Sequence, residues 1–305
     1  MAAAALHGVI PVLSTPFDVD DEIDACTLTA EIDWLVGCGV DGLAIAMVSE
    51  IVRLSDSERR DLTLLAVAAA AGRVPVVASV GCESTKASVA LAEHAREAGA
   101  SALMAIPPVL VALPDAQIVD YYRAILESVD LPVVVQDASG YLGRPLSIDL
   151  YVDLLSRYGP ERVLFKPEAA PIGPRLSELR DATGGAARVF EGTGGISLVD
   201  SHRRGIVGTM PGPELPWALV ALWRALERDD RETVDAVHGP IAGLISLQSS
   251  LDSFVAVEKY LLCQQGIFVD ERRRRPYAFD LDDETKHEVD RLVALLHQVL
   301  PDPLS

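Results

Sequence analysis

Eight short β-branched runs, each followed by a helical stretch, limit what this chain can fold into more than any other feature. They fall at residues 8–13, 42–46, 74–80, 102–106, 131–135, 162–166, 188–191 and 205–209, and the segments between them, such as 84–98 and 115–128, carry Ala and Leu at helical periodicity. Strand and helix alternating eight times read as an α/β fold, a (β/α)8 TIM barrel. Pro75 and Pro132 stand at strand starts and Pro11 lies within the first strand, where a missing N–H is best tolerated. The alternative is a doubly wound open sheet, but no G-x-G-x-x-G follows the first strand. After the eighth strand, residues 217–227, 231–247, 253–264 and 283–300 all read as helices. The expected organisation is a barrel over residues 1–215 and a C-terminal helical extension over 216–305. With no Ser/Gly-rich linker between them, the extension should pack on the barrel.

Composition excludes several classes of function. The chain has 305 residues, half of them hydrophobic, without the long apolar run of a membrane helix, and is expected to be soluble. Its first residues lack a basic region and are too short for a signal sequence. Cys26, Cys38, Cys82 and Cys263 lie far apart with no metal-ligand spacing, so reduced thiols in a cytoplasmic protein are expected. A net charge of −19 argues against nucleic acid and anionic membrane as partners. The one basic run, Arg272-Arg273-Arg274-Arg275, is flanked by Asp270 and Glu271 and reads as a solvated loop or an interface patch.

Barrels of this kind work at the C-terminal ends of their strands. There the sequence places Ser14-Thr15, Met47-Val48-Ser49-Glu50, Pro107-Pro108, Gln136-Asp137, Lys166-Pro167-Glu168, Gly192-Thr193-Gly194-Gly195 and Met210-Pro211-Gly212. Lys166 stands out because it ends an apolar strand in a chain with only four lysines among its 26 basic residues. A desolvated lysine can lose its proton and attack a carbonyl carbon, which an arginine cannot; the plainer reading is a strand-end lysine reaching water. Glu168, two residues on, should share the face of Lys166 if extended geometry continues through Pro167. Once the amine has condensed with a 2-oxo acid, C3 becomes acidic and a nearby carboxylate can move protons between C3 and a departing hydroxyl. The plainer role for Glu168 is an ion-pair partner. The glycine-rich stretch after strand seven could hold a phosphate but reads more simply as a tight turn. None of the six histidines sits in an H-x-H or H-E-x-x-H pattern, so no metal centre is expected, and no G-x-S-x-G elbow suggests a serine hydrolase.

Over essentially its whole length the chain resembles the dihydrodipicolinate synthase and N-acetylneuraminate lyase superfamily of Schiff-base barrels. The resemblance rests on Gly8-Val9-Ile10-Pro11-Val12-Leu13-Ser14-Thr15-Pro16-Phe17, Leu54-Ser55-Asp56-Ser57-Glu58-Arg59, Ala98-Gly99-Ala100-Ser101-Ala102 and Leu164-Phe165-Lys166. It implies that Lys166 is the Schiff-base lysine, that no cofactor is needed, and that the protein is a homotetramer. Three positions depart from the synthases. Ala46-Met47-Val48-Ser49-Glu50 replaces Gly-Thr-Thr-Gly-Glu, Gln136 replaces the strand-five tyrosine, and Val109-Leu110 replaces a tyrosine pair. The threonine–tyrosine–tyrosine relay is therefore gone. Ser49-Glu50, Val135-Gln136-Asp137-Ala138 and Phe165-Lys166-Pro167-Glu168 instead resemble the 2-keto-3-deoxy-L-arabonate dehydratases of this superfamily.

The expected function is a lyase that activates a small 2-oxo acid, most simply by dehydrating a 2-keto-3-deoxy sugar acid. Its alternatives are a pyruvate-releasing aldolase, a synthase-like condensation, and a non-catalytic keto-acid-binding barrel. Lys166 and Glu168 are the candidate catalytic residues, and Val48, Ser49, Gln136, Asp137, Gly192 and Met210 the candidate substrate contacts. Met47-Val48 and Val109-Leu110 suggest an apolar pocket, and position alone puts Tyr141 at its entrance.

Overall fold

The computed structural model describes residues 6–140 and 143–300. Tyr141 therefore lies outside the described residues. All eight expected strands form, each shorter than its apolar run: β1 (Gly8–Val9), β2 (Leu43–Ala44), β3 (Val76–Ser79), β4 (Ala102–Ala105), β5 (Val133–Gln136), β6 (Val163–Lys166), β7 (Phe190–Glu191) and β8 (Gly208–Thr209). Between them run α1 (Ala25–Gly37), α2 (Asp56–Ala70), α3 (Thr85–Ala98), α4 (Asp115–Ser128), α5 (Ile148–Tyr158), α6 (Ile172–Ala182) and α7 (Leu198–Arg203). There follow α8 (Pro216–Glu227), α9 (Arg231–Ser246), α10 (Leu251–Gln264) and α11 (Asp283–Val299).

Every pairing is parallel, in the orders β2-β3-β4-β5-β6 and β1-β8-β7. Single parallel bridges, Val12 to Ala44 and Phe165 to Val189, join the two sheets at both seams. The fold is the expected (β/α)8 barrel. At the β1–β8 seam the backbones meet so closely that a Cβ on Gly208 would lie 2.2 Å from the Gly8 carbonyl oxygen. Only glycine fits there. The helices begin where side chains can take their free N–H groups: Ser55 and Glu58 form a reciprocal box at the start of α2, and Asp24 and Ser147 cap α1 and α5. Helix α8 packs against β1, and α9 packs against α8 and α11. Among the described residues no helix is long and apolar enough to cross a membrane.

Helix α10 carries a buried lysine that ties the extension to the barrel. The Lys259 ammonium donates to the Thr15 carbonyl (2.7 Å), to Glu50 Oε1 (2.6 Å) and to the Arg272 carbonyl (2.6 Å). The Arg274 backbone N–H reaches the other Glu50 oxygen at 2.9 Å, and its guanidinium binds Glu58 at 2.7 Å. The basic run is therefore no solvated loop: it folds inward because its backbone completes the hydrogen bonding of a buried ion pair. Three more buried carboxyls, Glu31, Glu214 and Glu258, share this region with that single ammonium and with Arg273 near it. Burial pushes Glu31 up to about 8 and Glu214 to about 7, and holds Glu258 well above the usual carboxylate range.

These shifts set a pH dependence of stability. The unfolded chain releases the Glu31 proton near 4.5, whereas the folded protein keeps it up to about 8. Across that window the folded state binds more protons, so stability falls as pH rises. We expect the melting temperature to fall from pH 5 to about pH 9 and Glu31→Gln to flatten the curve, read by thermal unfolding across pH. An unaltered slope in the variant would refute this account.

Candidate active site

Strand β6 delivers Lys166 to the mouth of the barrel. Its four residues are all buried, and Phe165 beneath packs edge-to-face on Tyr151 with ring centroids 5.0 Å apart. The ammonium of Lys166 lies 2.7 Å from Glu168 Oε1, and both side chains are almost wholly buried, at 6% and 2% exposed. The strand ends at Lys166, yet the two side chains meet as extended spacing requires.

Neighbouring strands hold this pair. From β5, the Gln136 side-chain amide donates to Glu168 Oε1 at 2.9 Å. Asp137 Oδ1 accepts the Glu168 backbone N–H at 2.9 Å as well as the Ser139 N–H and hydroxyl, and Oδ2 accepts the Tyr151 hydroxyl at 3.3 Å. Asp137 thus lies beneath the site and fixes the turn that presents Glu168. From β7 the decisive feature is an absence of side chain: a Cβ on Gly192 would lie 2.7 Å from Lys166 Cε and 2.9 Å from Glu168 Oε1. The glycine makes room for the lysine; its partners Gly194 and Gly195 turn against Ile245 and Leu219.

Glu168 Oε1 accepts two donors, while Oε2 has no partner. Burial pushes this carboxyl above the usual range against the pull of the Lys166 ammonium, and Asp137 adds to the push. A carboxyl so poised can exchange a proton with its neighbour.

The remaining candidates divide between the front of the site and its frame. Ser49 Oγ donates to the Leu13 carbonyl at 2.5 Å and accepts the Ala46 N–H at 3.2 Å, and the Ser49 carbonyl accepts Thr15 Oγ1 at 2.7 Å. The short 3-10 turn Met47–Ser49 is thereby pinned from behind, with Val48 buried beside it. Met210 follows β8, its N–H bonded to the Glu191 carbonyl, and is buried. Leu110 is 81% exposed, so it adds nothing to the floor of the site. A cavity of ≈ 250 Å³ opens beside Glu168 and Gly192, its far wall formed by Ile196, Ile245, Gln248 and Phe254.

Sequence reading missed two elements. Glu191, buried at the end of β7, accepts Thr209 Oγ1 at 2.6 Å and the Thr193 N–H at 2.7 Å, locking β7 to β8; a charged residue closing an apolar strand was its one signal. Gln248, in the turn between α9 and α10, carries no sequence signal of its own. Among the described residues no cluster suited to a metal ion occurs.

Comparison with known proteins agrees with this frame. The chain matches the model of the dihydrodipicolinate synthetase family over residues 5–296, and it belongs to that family, whose members are lyases acting on small keto acids. It is 30% identical over 291 residues to the L-2-keto-3-deoxyarabonate dehydratase of Azospirillum brasilense, covering 93% of this chain and 92% of that protein. It is 31% identical over 185 residues to a 4-hydroxy-tetrahydrodipicolinate synthase of Rhizobium meliloti, covering 60% and 58%. Among solved structures, the prophage protein YagE of E. coli K12 in complex with pyruvate superposes with a TM-score of 0.87 at 25% identity, covering 97% of this chain and all of that one (100%).

Gly192→Ala tests the close approach. The added methyl must displace Lys166 or Glu168, an overpacking that typically costs about 1–3 kcal/mol. A denaturant midpoint equal to that of the wild type would show that the pair is not held where it is drawn.

Proposed function

We propose that this protein is a cofactor-free lyase that forms a Schiff base between Lys166 and a 2-oxo acid and eliminates water from a 2-keto-3-deoxy sugar acid. The observation that carries the reading is the sealed contact between Lys166 and Glu168, with Glu168 Oε2 left free. Similarity to the Azospirillum dehydratase over nearly the whole chain supports the choice of reaction.

Glu168 Oε1 takes a proton from the Lys166 ammonium, and the freed amine adds to C2 of the keto acid. Loss of water gives the iminium, which makes the C3 protons acidic. The Glu168 carboxylate removes one, and the C4–O bond breaks as the departing hydroxyl takes that proton back from Glu168. Hydrolysis consumes the water released on iminium formation and frees Lys166, so the net change is loss of one water. The substrate carboxylate would lie against the backbone of the Met47–Ser49 turn, with Ser49 and Val48 shaping that end, and Gln136 would keep Glu168 aligned. Asp137, Gly192 and Met210 act as the frame. A homotetramer in the cytoplasm belongs to this reading. Retro-aldol cleavage would use the same iminium but break C3–C4, and a product assay separates the two: pyruvate marks the aldolase, a semialdehyde without pyruvate the dehydratase.

Borohydride reduction in the presence of pyruvate should leave an adduct on the peptide containing Lys166, and Lys166→Ala should abolish both adduct and turnover. A folded protein that traps neither pyruvate nor longer 2-oxo acids would sink the reading in favour of a binding protein. Glu168→Gln should still form the iminium but slow elimination by about 10²–10⁴-fold, the usual loss for a missing acid–base group. Loss of trapping in a folded Glu168→Gln protein would give that carboxyl a different role.

A further inference from the structure

Gln248 is 94% buried, being 6% exposed, and neither its side-chain nitrogen nor its oxygen has a hydrogen-bond partner. It occupies the wall of the ≈ 250 Å³ cavity that also exposes Glu168 and Gly192. Buried amides are normally satisfied, so an orphaned one facing a cavity calls for an explanation. The side chain is not loosely held: the Gln248 backbone N–H bonds to the Ile245 carbonyl at 3.0 Å in the turn that ends α9. Other polar side chains nearby are engaged. Ser246 Oγ donates to the Gly243 carbonyl at 2.6 Å, and Thr193 Oγ1 is committed to Glu191. Ile196, Ile245 and Phe254 make the rest of that wall apolar.

We propose that Gln248 is the specificity residue that reads a hydroxyl group at the far end of the substrate chain, so that the 2-oxo acid taken by this site is hydroxylated beyond its reacting carbons. The assignment rests on the Schiff-base reading, which puts C2 at Lys166 and leaves the cavity for the rest of the chain. An amide offers one group that donates and one that accepts, and a hydroxyl is the substrate group that can answer both. A second carboxylate could answer only the N–H, and it would enter beside Glu168 and near the buried Glu214 carboxyl, which lies next to the Gln248 amide. An apolar tail would leave both amide atoms unpaired, the situation in which a polar site rejects a ligand most strongly. The apolar turn residues Met47 and Val48 do not bear on this end, because they flank the place of the substrate carboxylate.

The test compares 2-keto-3-deoxypentonate with its 5-deoxy analogue, reading for each the concentration that half-saturates the borohydride-trapped adduct on Lys166. The wild type should prefer the hydroxylated acid by about ten- to a hundredfold, the range of one or two hydrogen bonds to a neutral group. In Gln248→Met, which keeps the length of the side chain and removes its polar atoms, that preference should shrink to within about threefold of unity. A wild type that traps both acids equally well, or a variant that keeps the wild-type preference, overturns the assignment. Gln248→Asn, which retracts the amide without removing it, carries the comparison if the methionine variant does not fold, and should show an intermediate preference. A wild type that traps neither acid overturns the Schiff-base reading and this assignment together; an adduct without preference overturns the assignment alone.

Discussion

A lysine ammonium and a glutamate carboxyl meet at 2.7 Å where water hardly reaches, and the ends of three strands are arranged around that contact. Taking two charges out of water is costly, and a buried pair of this kind seldom stabilises a fold more than apolar side chains of the same size would. The protein offsets the cost with neighbours that serve no other purpose. The Gln136 amide shares Glu168 Oε1, Asp137 grips the Glu168 backbone, and Gly192 gives up its side chain to leave room. Such an arrangement makes sense where the proton between the two groups must move. Burial favours the neutral form of each partner, so passing the proton from amine to carboxyl costs less here than at a surface.

The second buried lysine shows what the first would look like if its role were structural. Lys259 fills three donor positions, with two backbone carbonyls and Glu50, and its surroundings join α10 to the turns after β1 and β2. An ammonium saturated in this way has no hydrogen left for a substrate. Lys166 has Glu168 as its acceptor and a cavity opening beside that carboxyl. Position at a strand end, burial and an acidic partner are common to the two residues; the number of filled donors distinguishes them.

The strands, the helices and the Lys166–Glu168 pair could be read from the chain because each depends on local spacing: apolar runs of strand length, helical periodicity, and two residues on one side of an extended segment. What escaped depends on distant partners. Lys259 meets Glu50 across 209 positions and Arg274 meets Glu50 across 224, so nothing near either residue announces the contact. The arginine run looked solvated because its own neighbours are charged, yet its backbone is what Glu50 and Lys259 need. Gly192 looked like part of a turn, whereas its reason is a side chain arriving from β6. Val109-Leu110 suggested an apolar pocket, but Leu110 faces solvent, a direction that no pattern in the loop encodes.

Polar groups at the mouth of this barrel sort by the direction in which their hydrogen bonds run. Ser49, Asp137, Glu191 and Glu50 spend theirs backward, on the backbones and side chains that fix the strand ends. Glu168 Oε2 and the Gln248 amide are buried and unspent, and both residues line one cavity. A barrel keeps its shape through the first kind and acts through the second, because a committed group must break a bond before it can help a substrate, whereas an uncommitted one gains a bond when the substrate arrives. The loss of the family's tyrosines therefore removes one set of polar contacts without leaving the site inert. The proton-handling end rests on Glu168, held by Gln136 where a tyrosine stood, and discrimination passes to a turn outside the strand ends, where sequence comparison confined to the barrel motifs would not look.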